Sequence, residues 1–401
     1  MSDDQTGHTP RAVIAGAGIG GLAAAIGLRR AGWQPVILER YPTPGAIGAG
    51  VSLWSNALDA LDALGVGEVT RSAGTLQSGG GVRVPDGRWL FRGSGAAMNR
   101  SGDALLVMHR AELHRELLAA LPAGTVIPGA TVTGVEHVGD GVVVGYDAPT
   151  GREEARCDLL VGADGIHSTV RQKVWLEAPA PIYAGFTAWR GVTDEPVDVE
   201  ESTETWGVGT EFGVVPLADQ RVYWFGTANL PEGTTFGDER AEVLRRFGQW
   251  HHPVTTVVRA TTPSAVLHHD IYHLPRPLPR FSCGAVVLLG DAAHAMTPNL
   301  GQGACLALED AVVLAACLAA DTDVERALLR YDEQRRPRAE DLVKMSAQMG
   351  RMIQLENRAA VVLRNLMVRA TPERHALARI ARITNWTPPE ISRDEHGRET
   401  A

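Results

Sequence analysis

A chain of 401 residues with 44% hydrophobic and 21% charged content holds enough apolar side chains for one large core or two smaller ones, which excludes an intrinsically disordered protein. Its net charge of −9 disfavours a polyanionic partner, because neutralising phosphates takes a basic surface, and nucleic acid is not expected to bind.

In chain order, Met1 to Pro10 is polar and acidic, not a basic segment followed by an apolar one, and no stretch approaches the length needed to cross a bilayer. A cytoplasmic location without a membrane span is expected. Arg11 to Glu39 reads as one βαβ unit: the apolar strand Ala12 to Ala15, a glycine cluster, the Ala/Leu-rich helix Leu22 to Arg30, and the strand Pro35 to Leu38. Asp158 to Gly162 and Ala285 to Leu289 read as further buried strands, the second leading to a helix from about Ala304 to Ala319. These pieces are expected to form one parallel sheet assembled from distant parts of the chain.

Ile182 to Asn229 differs in texture, with alternating, aromatic-rich runs such as Phe186 to Val192 and Val222 to Thr227 separated by short turns. An antiparallel sheet is the natural reading, with Phe186, Trp189, Trp206, Phe212, Trp224 and Phe225 as candidates for its inward face. Trp206, Phe212, Trp224 and Phe225 are the candidate substrate-pocket residues. From Arg326 to Arg382 the pattern reads as helices interrupted by Pro337. The amphipathic stretch Ala359 to Val368 is read as a cover for the first domain in preference to a dimer face, so a monomer or a homodimer is expected.

Gly16, Gly18 and Gly21 satisfy G-x-G-x-x-G between a strand and a helix, and Glu39 ends the next strand near the spacing expected of a ribose-binding acid. Gly16 permits the tight turn, Gly18 lets the backbone approach a pyrophosphate at the positive helix N-terminus, and Gly21 allows close packing. Glu39 favours a free 2′-hydroxyl over a 2′-phosphate, an inference that Arg40 beside it weakens. The glycines alone do not separate NAD from FAD.

Three further segments narrow the choice: Met108 to Leu113 (MHRAEL), Cys157 to Arg171 (CDLLVGADGIHSTVR) and Gly290 to Gly303 (GDAAHAMTPNLGQG). In this order, with the N-terminal glycines, they resemble the single-component class A flavoprotein monooxygenases, a group with salicylate-hydroxylase-like, urate-hydroxylase-like and zeaxanthin-epoxidase-like members. The resemblance covers roughly Arg11 to Arg338. It implies an α/β fold in which a discontinuous Rossmann-like FAD-binding domain (residues 1–75, 101–175 and 280–340) is interleaved with a substrate domain on a mostly antiparallel β-sheet (76–100 and 176–279), followed by a C-terminal helical segment (341–401).

The resemblance further implies that Asp291 binds the ribityl chain of FAD, that Arg110 lies near its diphosphate or ribityl region, and that Asp164 with Gly165 serves both FAD and NADH or NADPH. The stretch Pro298 to Gly303 would lie along the isoalloxazine, with Gly301, Gln302, Gly303 and Ala304 binding the cofactor. Physical chemistry agrees there, since a glycine-rich loop entering a helix aims backbone N–H groups at the anion of reduced flavin. The implied reaction hydroxylates or epoxidises an aromatic, polyketide-like or isoprenoid-like small molecule with O2 through a flavin C4a-hydroperoxide, the nicotinamide binding transiently. A reductase or dehydrogenase of the same fold that does not activate oxygen is the alternative.

Pro298, Gly301, Gly303 and Arg190 are the candidate catalytic positions. Arg190 could pair an acidic or phenolate oxygen of a substrate, or be a surface or ion-paired arginine. No metal is expected: in His268-His269-Asp270, neighbours on an extended chain point to opposite faces. His294 is read as a packing or orienting residue.

Overall fold

The computed structural model describes residues 9–43, 45, 50–77, 79–94 and 105–392. Residues 12–15 of the strand Arg11–Ala15, and all of Leu159–Gly162, are apolar and buried on both faces, as strands of a covered parallel sheet must be. They form the centre of a six-stranded sheet ordered Ser282–Cys283, Val286–Leu288, Leu159–Gly162, Arg11–Ala15, Gln34–Glu39 and Val126–Pro128. All neighbours are parallel except the first two strands. Helices Ile19–Arg30 and Gly303–Ala320 meet on glycine, since a Cβ at Gly27 would stand 2.9 Å from that of Ala315 and 3.2 Å from the Ala311 carbonyl oxygen. An antiparallel meander, Thr131–Val138, Gly141–Ala148 and Gly151–Cys157, joins the same core through Val142, Val144 and Tyr146.

Gly303–Ala320 corrects one expectation. Its 18 residues are long and apolar enough to match a minimal membrane span, yet most of the helix is buried in the protein core, which accounts for that composition.

The second large sheet has seven strands, ordered Leu267–His273, Ile182–Val192, Val222–Asn229, Thr210–Pro216, Ser202–Trp206, Gly79–Arg83 and Trp89–Ser94. It is antiparallel except where Ser202–Trp206 runs parallel to Gly79–Arg83. Period-two alternation gives it two faces. Trp189, Phe212, Val214 and Trp224 pack on one face against Val243, Phe247, Val254, Val257 and Val258 of helices Glu239–Phe247 and Val254–Arg259. The other face carries Tyr223 and Phe225, packed with Leu105 and Val107 of the strand Leu105–His109, which pairs with Gly50–Trp54. A Cβ at Gly50 would stand 2.4 Å from the Tyr223 ring, so the sheet is a roof set down closely on the first domain.

Pro337 does not interrupt the chain as expected. Val324–Ile353 is one helix of 30 residues with Pro337 inside it. Proline costs an internal helix one hydrogen bond, and here the turns on either side are anchored by ion pairs. The Arg335 side chain, 1% exposed, holds Glu309 at 2.7 Å and Asp310 at 2.7 Å, while Arg338 holds Glu309 at 2.7 Å. Asp310 in turn accepts from the Gly290 N–H at 2.9 Å and pairs with His294 at 2.6 Å. His294 thus ties the loop at Asp291 to the helix Gly303–Ala320.

Candidate active site

The glycine loop is shaped for a pyrophosphate. Gly16 has φ +99° and a Cβ on it would stand 2.6 Å from the Ala163 carbonyl oxygen, while one on Gly21 would stand 2.0 Å from the Gly16 oxygen. Neither position has room for a side chain. At Gly18, the N-cap of the helix Ile19–Arg30, a Cβ would meet nothing within 4 Å, so glycine there keeps space open in front of the helix N-terminus. Glu39 is buried behind the loop, accepting from the N–H groups of Ala17 at 2.7 Å and Tyr41 at 2.9 Å. Each oxygen keeps a second lone pair for a ribose hydroxyl. Arg40 is exposed, over the Tyr41 ring.

Asp164 caps the helix Thr169–Val174 by accepting from the N–H groups of Thr169 at 2.6 Å and Val170 at 3.1 Å through Oδ2, and its buried Oδ1 has no partner. Gly165 beside it has φ +81°. Arg110, first residue of the helix Arg110–Ala119, remains accessible although protein surrounds it on most sides, which marks the wall of a deep cleft. Burial pushes its pKa down, and the opposing pull of Asp291 places that carboxylate in the same cleft, with Arg190 and Tyr223 close by.

Pro298–Leu300 forms a single 3₁₀ turn, Gly301 takes the left-handed conformation at φ +62°, and the helix begins at Gly303. Asp291 lies across from this entry, its Oδ1 4.0 Å from where a Cβ of Gly303 would be. Gln302 is buried, accepts from Asn56 at 3.0 Å, and has an unpartnered Nε2. Ala304 is half-buried in the first helical turn. The first N–H groups of this helix have no partner within it, so together with the orphaned Asp164 and Gln302 atoms and the open space at Gly18 they fit a long, anionic, hydrogen-bonding cofactor.

The comparisons agree with that fit. The profile of the FAD-binding-domain family matches residues 9–346. Over 380 residues the chain is 41% identical to an aurachin C monooxygenase/isomerase of Stigmatella aurantiaca, covering 94% of this chain and 98% of the relative. It is 35% identical over 379 residues to a 2-heptyl-3-hydroxy-4(1H)-quinolone synthase of Pseudomonas aeruginosa, covering 90% and 94%. The structure of Klebsiella pneumoniae HpxO complexed with FAD and uric acid superposes with a TM-score of 0.86 at 30% identity, covering 94% and 96%.

The chain belongs to the FAD-dependent monooxygenases of this family.

The face that this monooxygenase turns toward its cofactor cleft is set by strand register. Arg190 lies opposite Phe225, Phe225 opposite Gly213, and Gly213 opposite Glu204, so the four form one row across four strands. At about 4.8 Å per strand the row spans roughly 14 Å. A Cβ on Gly213 would stand 2.0 Å from the Phe225 ring, so the ring lies flat over Gly213 as an aromatic floor. At one end Arg190 hydrogen-bonds Tyr223, whose pKa burial pushes up and Arg190 pulls down. His269 faces the same way, its pKa lowered by burial and then by Arg190.

At the other end stand two carboxyl groups, Glu204 and Glu211, hydrogen-bonded to each other and to the Trp206 indole N–H, which donates to Glu204 at 3.1 Å. Burial raises both, and the neighbouring charge of Glu204 pushes Glu211 up well beyond the ordinary range. Protonation of one member of the pair is therefore favoured relative to an ordinary carboxylate. Glu204 is accessible although enclosed on most sides, like Arg110. Opposite Glu211, the Thr227 hydroxyl accepts from Gln354, whose Oε1 is buried without a partner.

Among the four pocket candidates, the structure brings Phe225 to this face. Phe212 and Trp224 do not line it: their rings stack at 5.6 Å in the helix-covered core on the far side, and the Trp224 N–H donates to Thr261 at 2.8 Å. The reason is strand alternation, which sends adjacent Trp224 and Phe225 to opposite faces. Trp206 is buried behind Glu204, between Arg364 and Ile353. His268 and His269 likewise diverge, His268 stacking on Trp189 and pairing with Glu239 at 3.0 Å.

Proposed function

We propose that this monooxygenase takes electrons from NADH or NADPH and hydroxylates a flat, uncharged heteroaromatic ring with an oxygen acceptor at one end and an N–H or O–H donor at the other, a quinolone-like substrate. The observation that carries the reading is the row Arg190, Phe225, Gly213, Glu204: a cation, an aromatic floor and a hydrogen-bonded carboxyl pair at the two ends and middle of one surface. Two relatives point the same way, one named for an alkylated hydroxyquinolone and one solved with uric acid, both nitrogen heterocycles.

Bound at the cleft and reduced, FAD supplies the activation of dioxygen and the transfer of one oxygen atom. Asp291, Arg110, Asp164 and the glycine loop would hold it, and the helix entry at Gly303 would favour negative charge on its ring. Phe225 orients the substrate ring by stacking. Arg190, with Tyr223, holds a ring oxygen and favours its anionic form, which makes the adjacent carbon electron-rich. Glu204 and Glu211 accept the hydrogen bond from the donor at the opposite edge and repel a carboxylate placed there. The closely set roof excludes water.

The test is an absorbance spectrum of the purified protein followed by NADH or NADPH oxidation and oxygen uptake with 4-quinolones, urate and aromatic acids. Flavin bands with uptake stimulated by the neutral 4-quinolones are expected. Stimulation by aromatic acids alone would overturn the substrate class, and nicotinamide oxidation that never draws oxygen would favour a reductase.

A further inference from the structure

The helix Arg358–Ala370 is apolar on two sides: Val361 and Val368 face inward, and a larger apolar stripe faces out. Its exposed side is the stripe Ala359, Val362, Leu363, Leu366, Met367 and Ala370, spaced as one helical face, and the four large residues are 55–59% exposed. Its inward side is pinned by Arg364, 1% exposed, which donates to the carbonyl oxygens of Gly207 at 3.1 Å and Ile353 at 2.9 Å and lies 5.6 Å above the Trp206 ring. The sequence pattern suggested a helix covering the core with its apolar side. The structure turns the larger stripe away.

Around the stripe the charge is mainly positive, with Glu356 just before the helix and Asp86 near Arg369 as acidic neighbours. Arg358, Arg369, Arg374, Arg379 and Arg382 are exposed on this helix and the next, Glu373–Thr384, and Glu373 is the one acidic residue between positions 357 and 385, in a chain of net charge −9. An apolar stripe bordered by arginine suits the boundary of an anionic bilayer, where apolar side chains enter the acyl region and arginines meet lipid phosphates. A second copy of the chain suits it less. Pairing this face with itself would bring like charges together, and four half-exposed side chains offer far less than the roughly 800 Å² per partner of a stable dimer.

We infer that the helix Arg358–Ala370, with the arginines of Glu373–Thr384, docks this enzyme peripherally on an anionic lipid surface. Arg364 fixes the helix directly behind Trp206 and hence behind the Glu204 end of the aromatic floor, so lipid would lie close to where a lipophilic substrate is read. The inference does not depend on which ring is hydroxylated.

The experiment is co-sedimentation of the full-length, FAD-loaded protein with vesicles of phosphatidylcholine alone and of phosphatidylcholine with phosphatidylglycerol, at low and raised salt. The protein is expected to pellet with the anionic vesicles, at least tenfold more than with the neutral ones, and to be released by salt. The double variant Leu363→Glu with Leu366→Glu is expected to abolish pelleting while keeping its flavin content and circular dichroism spectrum, because both residues are exposed. Failure of the parent to bind anionic vesicles, or equal binding by the variant, overturns the inference. A concentration-dependent dimer that the variant loses, without vesicle binding, would assign the stripe to a second copy instead.

Discussion

Replacing Arg335 with methionine tests whether the buried ion cluster holds the two halves of the cofactor cleft together. Its guanidinium bridges Glu309 and Asp310, both 0% exposed, at 2.7 Å each. Without it Glu309 keeps Arg338 and Asn56, and Asp310 keeps His294 and the Gly290 N–H, but two adjacent buried carboxylates have lost the cation between them. Removing one partner of a buried ion pair typically costs about 3–5 kcal/mol, because the remaining charge is stranded. The expected result is a loss of that size in urea unfolding at fixed excess FAD, followed by flavin release and far-UV circular dichroism. The double variant Asp310→Asn, Arg335→Met, which leaves Glu309 paired with Arg338 and strands no charge, should recover most of it. A single variant within about 1 kcal/mol of the parent would refute the reasoning, since ordinary surface substitutions cost that little.

The same cluster sets an acid limit: burial alone would raise Asp310, but His294 and Arg335 hold it down to about 2. Its contribution is therefore present above the ordinary carboxylate range and lost as pH falls from near 4 toward 2, a loss that Asp310→Asn should flatten in pH-dependent unfolding. Glu204 and Glu211 act in the opposite sense, because their pKa values are raised: stability is expected to fall as pH rises from about 5 upward, and Glu211→Gln should reduce that slope. Gly18→Val should fold, since a Cβ there meets no protein atom, yet lose FAD at least tenfold by flavin fluorescence titration. Unchanged affinity would displace the pyrophosphate from the loop. Asp291→Ala should weaken FAD by about 1–3 kcal/mol in the same titration.

Much of the first domain was legible because its signals are local. The glycine spacing, the apolar strands and the Pro298 to Gly303 loop each dictate a backbone geometry within a few residues. The roof was legible as a sheet but not in its polarity. Trp224 and Phe225 are neighbours on one strand, and neighbours on a strand diverge: alternation along Val222–Asn229 puts Tyr223 with Phe225 on one face and sends Trp224 to the core. Glu204 and Glu211 lay in aromatic, alternating runs where an acid is costly to bury, and that mismatch was the available hint. Their meeting, and that of Arg335 with Glu309 and Asp310, depends on register and tertiary packing that no local pattern encodes. The helix Arg358–Ala370 has a clear apolar stripe, but periodicity does not tell which way the stripe faces.

The order of the parallel sheet also governs when the cofactor can arrive. Arg11–Ala15 gains its neighbour Leu159–Gly162 only after nearly 150 residues of chain, with Asp158 accepting from the Arg11 N–H across a separation of 147, and Val286–Leu288 and the Gly303 helix follow later still. At 5–20 residues per second the ribosome needs roughly 15–60 s to reach that helix. Until then the glycine loop has no floor, and the N-terminal strand carries an unpaired apolar edge of the kind that associates wrongly. Flavin uptake is therefore expected to be a late event, completed after the last strands close the sheet.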